Sequence, residues 1–110
     1  MRTVVLRTLM AGVLSVSITS ACFAADATAG KAVYERKCKM CHGAAGEGNP
    51  GMAKALNITI PPLGSDLVQK LSDADMKKVI TEGKGKMKPL AGLSDTDIAD
   101  AVAYVRTFKK

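Results

Sequence analysis

The chain has 110 residues, with 16 lysines and arginines against 10 acidic residues for a formal charge of +6, and only 4 % aromatic residues. That length accommodates one domain, and a chain this short rarely buries enough apolar surface to be comfortably stable alone. The modest charge, the lack of tryptophan and the lack of any aromatic platform or reading motif set nucleic-acid binding aside.

The first segment, 1–24, reads as an export leader. Arg2 and Arg7 form a basic start, and the uncharged stretch 8–25 is rich in Leu, Val and Ile and ends in small residues around Ala24. Cleavage after 24 is expected, placing the mature domain, 25–110, in the periplasm. Two other outcomes stay open: an uncleaved leader, whose 18 uncharged residues just suffice to span a bilayer, and a lipid-modified Cys22. After cleavage, 14 basic residues face 10 acidic ones and the balance is +4, since Arg2 and Arg7 leave with the leader.

A first helix is expected over 27–41, where Gly30, Val33, Tyr34, Lys37 and Cys41 recur at helical spacing. It runs into Cys38-Lys39-Met40-Cys41-His42, two cysteines three residues apart followed at once by the only histidine of the chain. This is the attachment signature of c-type haem. Each thiol can add across one of two vinyl groups on neighbouring edges of a porphyrin, and the next side chain is then held under the iron as an axial imidazole. Other readings of the five residues are weak. A structural zinc site wants four N or S ligands, and only two cysteines and one histidine remain after the leader. A thioredoxin-type pair belongs in a strand-helix-strand pattern, which does not follow here. A disulfide across two intervening residues is a tight, strained loop and leaves His42 unexplained.

Beyond the motif, Gly43, Gly46, Gly48 and Gly51 suit either a loop passing close to the ring or an ordinary flexible surface loop. Strand signals are absent, because Ile58-Thr59-Ile60 is short and is stopped by Pro61-Pro62. A short helix is expected around 67–71. A second main helix follows Ser72, an N-cap with Asp75 three residues on in the manner of a capping box; Met76, Val79 and Ile80 form its apolar face and Gly83 its stop. A third follows Ser94, with Asp95 and Asp97 in its first turn and Ile98, Ala101, Val102, Val105 and Phe108 as one apolar stripe.

Motif, leader and helix pattern together resemble a small class I monohaem cytochrome c of the bacterial periplasmic type, over almost all of 25–110. The resemblance implies an all-α fold of three main helices plus a short fourth, wrapped around one covalently bound haem c that stands in for part of the core. In that family the first and last helices cross at a small residue with interlocking aromatics. Gly30 and Tyr34 lie eight and four residues before Cys38, as the family has them, and Ala101 and Tyr104 hold the complementary places. The resemblance also implies that His42 donates its second ring nitrogen to a proline carbonyl, with Pro50 nearest in spacing and Pro62 the alternative.

For the sixth iron ligand, 25–110 offers Met40, Met52, Met76 and Met87. Met40 lies inside the motif, Met76 belongs to an apolar helix face, and Met52 has only a short reach around the ring. Met87 stands alone among glycines, lysines and proline, with no helical face to join. The family's ligand methionine comes just after glycines and seven residues before the serine that caps the last helix, here Ser94. This chain departs from the family in placing Lys88 before Pro89. Met87 is the expected ligand, with an open site or a lysine as the remaining options.

The implied function is one-electron transfer between redox partner proteins by a monomer that turns over no substrate and so is not an enzyme. Lys39, Lys84, Lys86 and Lys88 would rim the exposed haem edge and favour partners with acidic docking surfaces; equally, they could simply keep a loop soluble. Two other classes stay open: a haem-based sensor or gas-binding protein with an exchangeable sixth ligand, and a cytochrome subunit of a larger oxidoreductase or photosynthetic complex.

Overall fold

The computed structural model describes residues 12–16 and 25–110. Residues 12–16 are exposed and take no regular structure, and the rest of the expected leader lies outside the described residues.

Six helices follow in chain order: α1 Ala27–Lys37, α2 Lys39–His42, α3 Pro50–Leu56, α4 Asp66–Gln69, α5 Asp73–Glu82 and α6 Asp95–Arg106. No strand occurs among the described residues; the only ladder-type contact is an isolated antiparallel bridge between Lys84 and Met87. The all-α expectation holds, with two refinements. The helix expected over 27–41 breaks at Cys38, where α1 closes with the Cys38 N–H on the Tyr34 carbonyl and α2 begins. The unexpected helix is α3, started by Asn49, whose side chain accepts from the Gly51 and Met52 amides, with Pro50 in the first turn where its missing N–H costs nothing.

The caps explain why the long helices begin where they do. The Asp26 carboxylate accepts from the Thr28 and Ala29 amides at 2.8 and 3.3 Å and starts α1. Ser94 and Asp97 cap α6 reciprocally, each side chain bonding the other's amide at 3.1 Å. At α5 only the forward half of such a box is present, with Ser72 Oγ accepting from the Asp75 amide. Phe108 falls beyond the end of α6, which stops at Arg106.

The core forms where α1 crosses α6, the most extensive helix–helix contact in the molecule. Val33, Tyr34, Met76, Ile98, Ala101 and Val102 are its buried apolar residues, and each full-sized aliphatic side chain contributes about 1.5–3 kcal/mol on burial. The crossing is close because Gly30 has no side chain: a Cβ there would run into the Asp100 carbonyl and come within 3.1 Å of the Ala101 nitrogen. Asp100 is itself only 7 % exposed. Its carboxylate is satisfied by the Asp26 amide at 2.8 Å, so the charge sits at the dipole-favoured start of α1.

One end of this crossing carries an aromatic triad. Tyr34, Tyr104 and Phe108 meet edge to face, with ring centroids 5.0–5.3 Å apart, a geometry worth about 0.5–1.5 kcal/mol per pair beyond burial. Arg106 then ties the end of α6 to the α4–α5 junction. Its guanidinium donates to the carbonyls of Gln69 (2.8 Å) and Leu71 (2.6 Å) and pairs with Asp73 at 2.8 Å. Gln69 Nε2 donates to the Leu63 and Val105 carbonyls, joining the loop before α4 to α6. Among the described residues no helix is long and apolar enough to cross a membrane.

Candidate haem site

The α2 turn presents the motif. The Cys41 and His42 amides both donate to the Cys38 carbonyl, at 3.3 and 3.0 Å, and the Gly43 amide donates to the Lys39 carbonyl at 2.9 Å. Positions 38, 41 and 42 stand at i, i+3 and i+4 of one helical turn, so the two sulfurs and the imidazole share a face. All three residues are half-buried, and both cysteines are free thiols.

Burial decides the charge states here. It pushes the Cys38 thiol up to about 11, with a further rise from neighbouring Cys41, and it lowers the His42 imidazole below its ordinary value. Cys38 is therefore a neutral thiol at pH 7, the reverse of the depressed thiol that a thioredoxin-type redox pair requires. His42 is a neutral imidazole, the form that can bind a metal. Its Nδ1 is buried without a hydrogen-bond partner. The expected proline partner is not found: Pro50 opens α3, and the Pro62 carbonyl accepts from the Ser65 amide.

The loop after His42 is tied rather than loose. The His42 carbonyl accepts from the Gly48 amide (2.7 Å), the Cys41 carbonyl from the Asn49 amide (2.9 Å) and the Met40 carbonyl from Asn49 Nδ2 (2.8 Å). The Tyr34 hydroxyl donates to the Gly43 carbonyl, and the Leu63 amide to that of Gly46. Gly43, Gly46 and Gly48 all take positive φ. Gly46 is buried, and a Cβ there would reach the Phe108 ring at 2.8 Å. The loop is therefore held at these three positions rather than freely flexible, whereas Gly51 is an ordinary residue of α3. The ties made by Tyr34 and Asn49 were not anticipated, although Asn49-Pro50 carries a plain helix-start signal.

The four methionines occupy different environments. Met40 is 73 % exposed and Met76 is core at 6 %; Met52 and Met87 are half-buried. Met87 sits in a narrow reverse turn, where Lys84 and Met87 exchange two backbone hydrogen bonds at 2.9 and 3.0 Å around Gly85 and Lys86. Gly83, at φ +79°, precedes the turn, and a Cβ there would meet the Met87 carbonyl and the Pro89 ring. Within 84–89 every residue is exposed except Met87, the one side chain drawn inward. Lys39, Lys84, Lys86 and Lys88 are all exposed.

These residues fit a covalently attached haem. Two free thiols and a neutral imidazole share one helical turn, and the imidazole has an unpartnered buried nitrogen. Among the described residues no group of three or more His, Cys, Asp or Glu side chains could hold a metal ion.

Comparison with known proteins agrees. A family model described as cytochrome C oxidase, cbb3-type, subunit III, matches residues 25–105. Cytochrome c-554(547) of Halothiobacillus neapolitanus is 34 % identical over 92 residues, covering 78 % of this chain and 100 % of that protein. Cytochrome c6 of a Picosynechococcus species is 33 % identical over 89 residues, covering 76 % and 74 %. Among solved structures, the KustC0563 c-type cytochrome superposes with a TM-score of 0.64 at 30 % identity, over 74 % of this chain and 98 % of that one. With a family model spanning most of its length, a relative matched from end to end and a helical fold in common with a c-type cytochrome, this chain belongs to the cytochrome c family of haem-based electron carriers.

Proposed function

We propose that the chain is a periplasmic one-electron shuttle. Cys38 and Cys41 would hold a single haem c through thioethers, and His42 and Met87 would ligate its iron. Each thiol would supply its sulfur to one thioether and its proton to the neighbouring carbon, so attachment would need no oxidant. The haem supplies an Fe(II)/Fe(III) couple when bound. The observation that carries this reading is the turn 38–43, where both free thiols and the neutral imidazole share a face held by backbone hydrogen bonds at each end.

The remaining residues serve that couple. The half-buried Met87 would contribute a soft thioether, which favours the reduced ion and raises the potential. With His42 and Met87 both engaged, the iron would offer no position to a substrate, in keeping with electron transfer alone. The tied loop 43–49 would keep His42 in one geometry in both oxidation states, which favours fast exchange. Exposed Lys39, Lys84, Lys86 and Lys88 suit acidic docking surfaces on redox partners, with salt-sensitive association. Export through the leader and a monomeric state complete the reading.

Replacing Met87 by Ala tests the ligation. The expected result is loss of the iron–thioether charge-transfer absorption, a lower potential, and carbon monoxide binding to the reduced variant but not to the reduced wild type. A wild-type spectrum in Met87→Ala would assign the sixth position to another residue. A second reading, a cytochrome subunit of a larger oxidoreductase, is favoured by the description of the family model. Recovery of a free monomer from a periplasmic extract supports the shuttle, and co-purification with other chains supports the subunit.

A further inference from the structure

Among the described residues Tyr34 is the only large side chain with no exposed surface, and it touches the 38–43 turn twice. Its main-chain carbonyl accepts from the Cys38 amide at 2.8 Å, and its hydroxyl donates to the carbonyl of Gly43, the residue directly after His42. One residue of α1 therefore brackets the six-residue segment that carries both thiols and the imidazole. Between those two bonds the ring is locked edge to face against Tyr104 and Phe108, each at 5.3 Å. The phenol cannot swing away without dismantling the aromatic triad. Gly43 is the hinge at which the chain leaves α2, at φ +82°, so the orientation of its peptide decides how the turn under His42 is held.

Packing alone does not require this hydroxyl. A phenylalanine at 34 would keep the triad and the main-chain bond, while the Gly43 carbonyl would retain only the longer bond from the Gly46 amide, at 3.3 Å. A buried hydroxyl is retained at a desolvation cost that only a hydrogen bond offsets, and the one bond it makes ends beside the expected axial ligand.

We propose that Tyr34 is a positioning residue for the redox centre: its hydroxyl fixes the Gly43 peptide and thereby the orientation of the His42 imidazole toward the iron, resting on the haem attachment and His42 ligation proposed above. Removing the donor leaves the carbonyl dipole next to the ligand compensated only by the longer bond from the Gly46 amide. That favours the more positive ferric state, so the potential falls.

The test compares Tyr34→Phe with Tyr104→Phe in the exported, haem-loaded protein. Each variant removes one hydroxyl from the same triad, and only the first removes the bond to Gly43. The expected result is a potential shifted downward and displaced His42 ring-proton signals in the ferric NMR spectrum of Tyr34→Phe, with both readouts at wild-type values in Tyr104→Phe. If the two variants share the wild-type potential and His42 signals and differ only in melting temperature, Tyr34 is merely structural and the proposal is overturned. Should Tyr34→Phe not accumulate, the wild type decides: a slowly exchanging Tyr34 hydroxyl proton with a cross-peak to Gly43 supports the proposal, and a rapidly exchanging one refutes it. A wild type without a low-spin haem spectrum would instead sink the haem reading, which keeps the two failures apart.

Discussion

Replacing Gly30 by Ala puts the helix crossing under direct stress. The added methyl has nowhere to go, because it meets the Asp100 carbonyl and the Ala101 nitrogen, which are backbone atoms that cannot rotate aside. Overpacking of this kind costs about 3 kcal/mol when no side chain can yield. Prising α1 from α6 also stretches the bond from the Asp26 amide to the buried Asp100 carboxylate, a further loss of about 1.5 kcal/mol for a bond to a charged acceptor. Alanine's better helix propensity returns about 1 kcal/mol. The net loss lies between about 3 and 4 kcal/mol, which for a domain of this size lowers the melting temperature by roughly 15–25 °C. Thermal unfolding of haem-loaded protein followed by circular dichroism reads it. The exposed Ala32 of α1 supplies the control: Ala32→Gly loses about 1 kcal/mol through propensity alone. A Gly30→Ala protein melting within roughly 5 °C of wild type, or above it, would show that propensity outweighs contact and that the helices do not meet where described.

Arg106→Ala removes two hydrogen bonds from a guanidinium to carbonyls of the α4–α5 junction along with a partly exposed ion pair. It should destabilise by about 2 kcal/mol, against less than about 1 kcal/mol for Asp73→Ala, since the exposed pair itself contributes little. Equal losses in denaturant titrations would mean that the ion pair, not the carbonyl bonds, fastens α6. Glu47 predicts an acid-sensitive loop. Hydrogen bonds from the backbone amides of Glu47 and Ala45 hold its carboxyl below its ordinary 4.5. Its contribution is therefore present above pH 4.5 and fades as pH falls through the lowered folded value. Amide protection at Ala45 should drop across that acid range in the wild type and stay flat in Glu47→Gln; identical profiles would count against the carboxylate tie.

The parts of the fold that were readable in advance are those written in local chemistry. Ser72 and Ser94 announce their helices through side chains that cap their own backbone, Gly83 ends α5 where a positive φ is needed, and the 38–42 spacing is itself one turn of helix. The break at Cys38 was not readable, since nothing in that residue's chemistry disfavours helix. Helix α3 was overlooked because seven residues are too few for the spacing of Met52, Ala53 and Leu56 to stand out as a helical face, although Asn49-Pro50 is a good start signal. Asp100 lies on the stripe side of α6 as a charge, intelligible only once the Asp26 amide is seen to face it. Phe108 was assigned to a helical stripe, yet it works from beyond the helix end, as the third member of the triad and the wall against Gly46. Within the candidate site, the spacing of Cys38, Cys41 and His42 already implied the shared helical turn on which they stand. The ties that orient them, from Tyr34, Gly48 and Asn49, are long-range or loop contacts that no periodicity encodes.

The central claim is that one porphyrin is bonded to two sulfurs of this turn. Intact-mass measurement of the exported protein, together with its alkaline-pyridine absorption spectrum, tests it most directly. The expected result is a mass equal to the 25–110 polypeptide plus one haem, with the band position of a haem carrying two thioethers, and loss of the covalent haem when Cys38 and Cys41 are both replaced by Ala. A colourless product weighing only what its amino acids weigh would contradict the account.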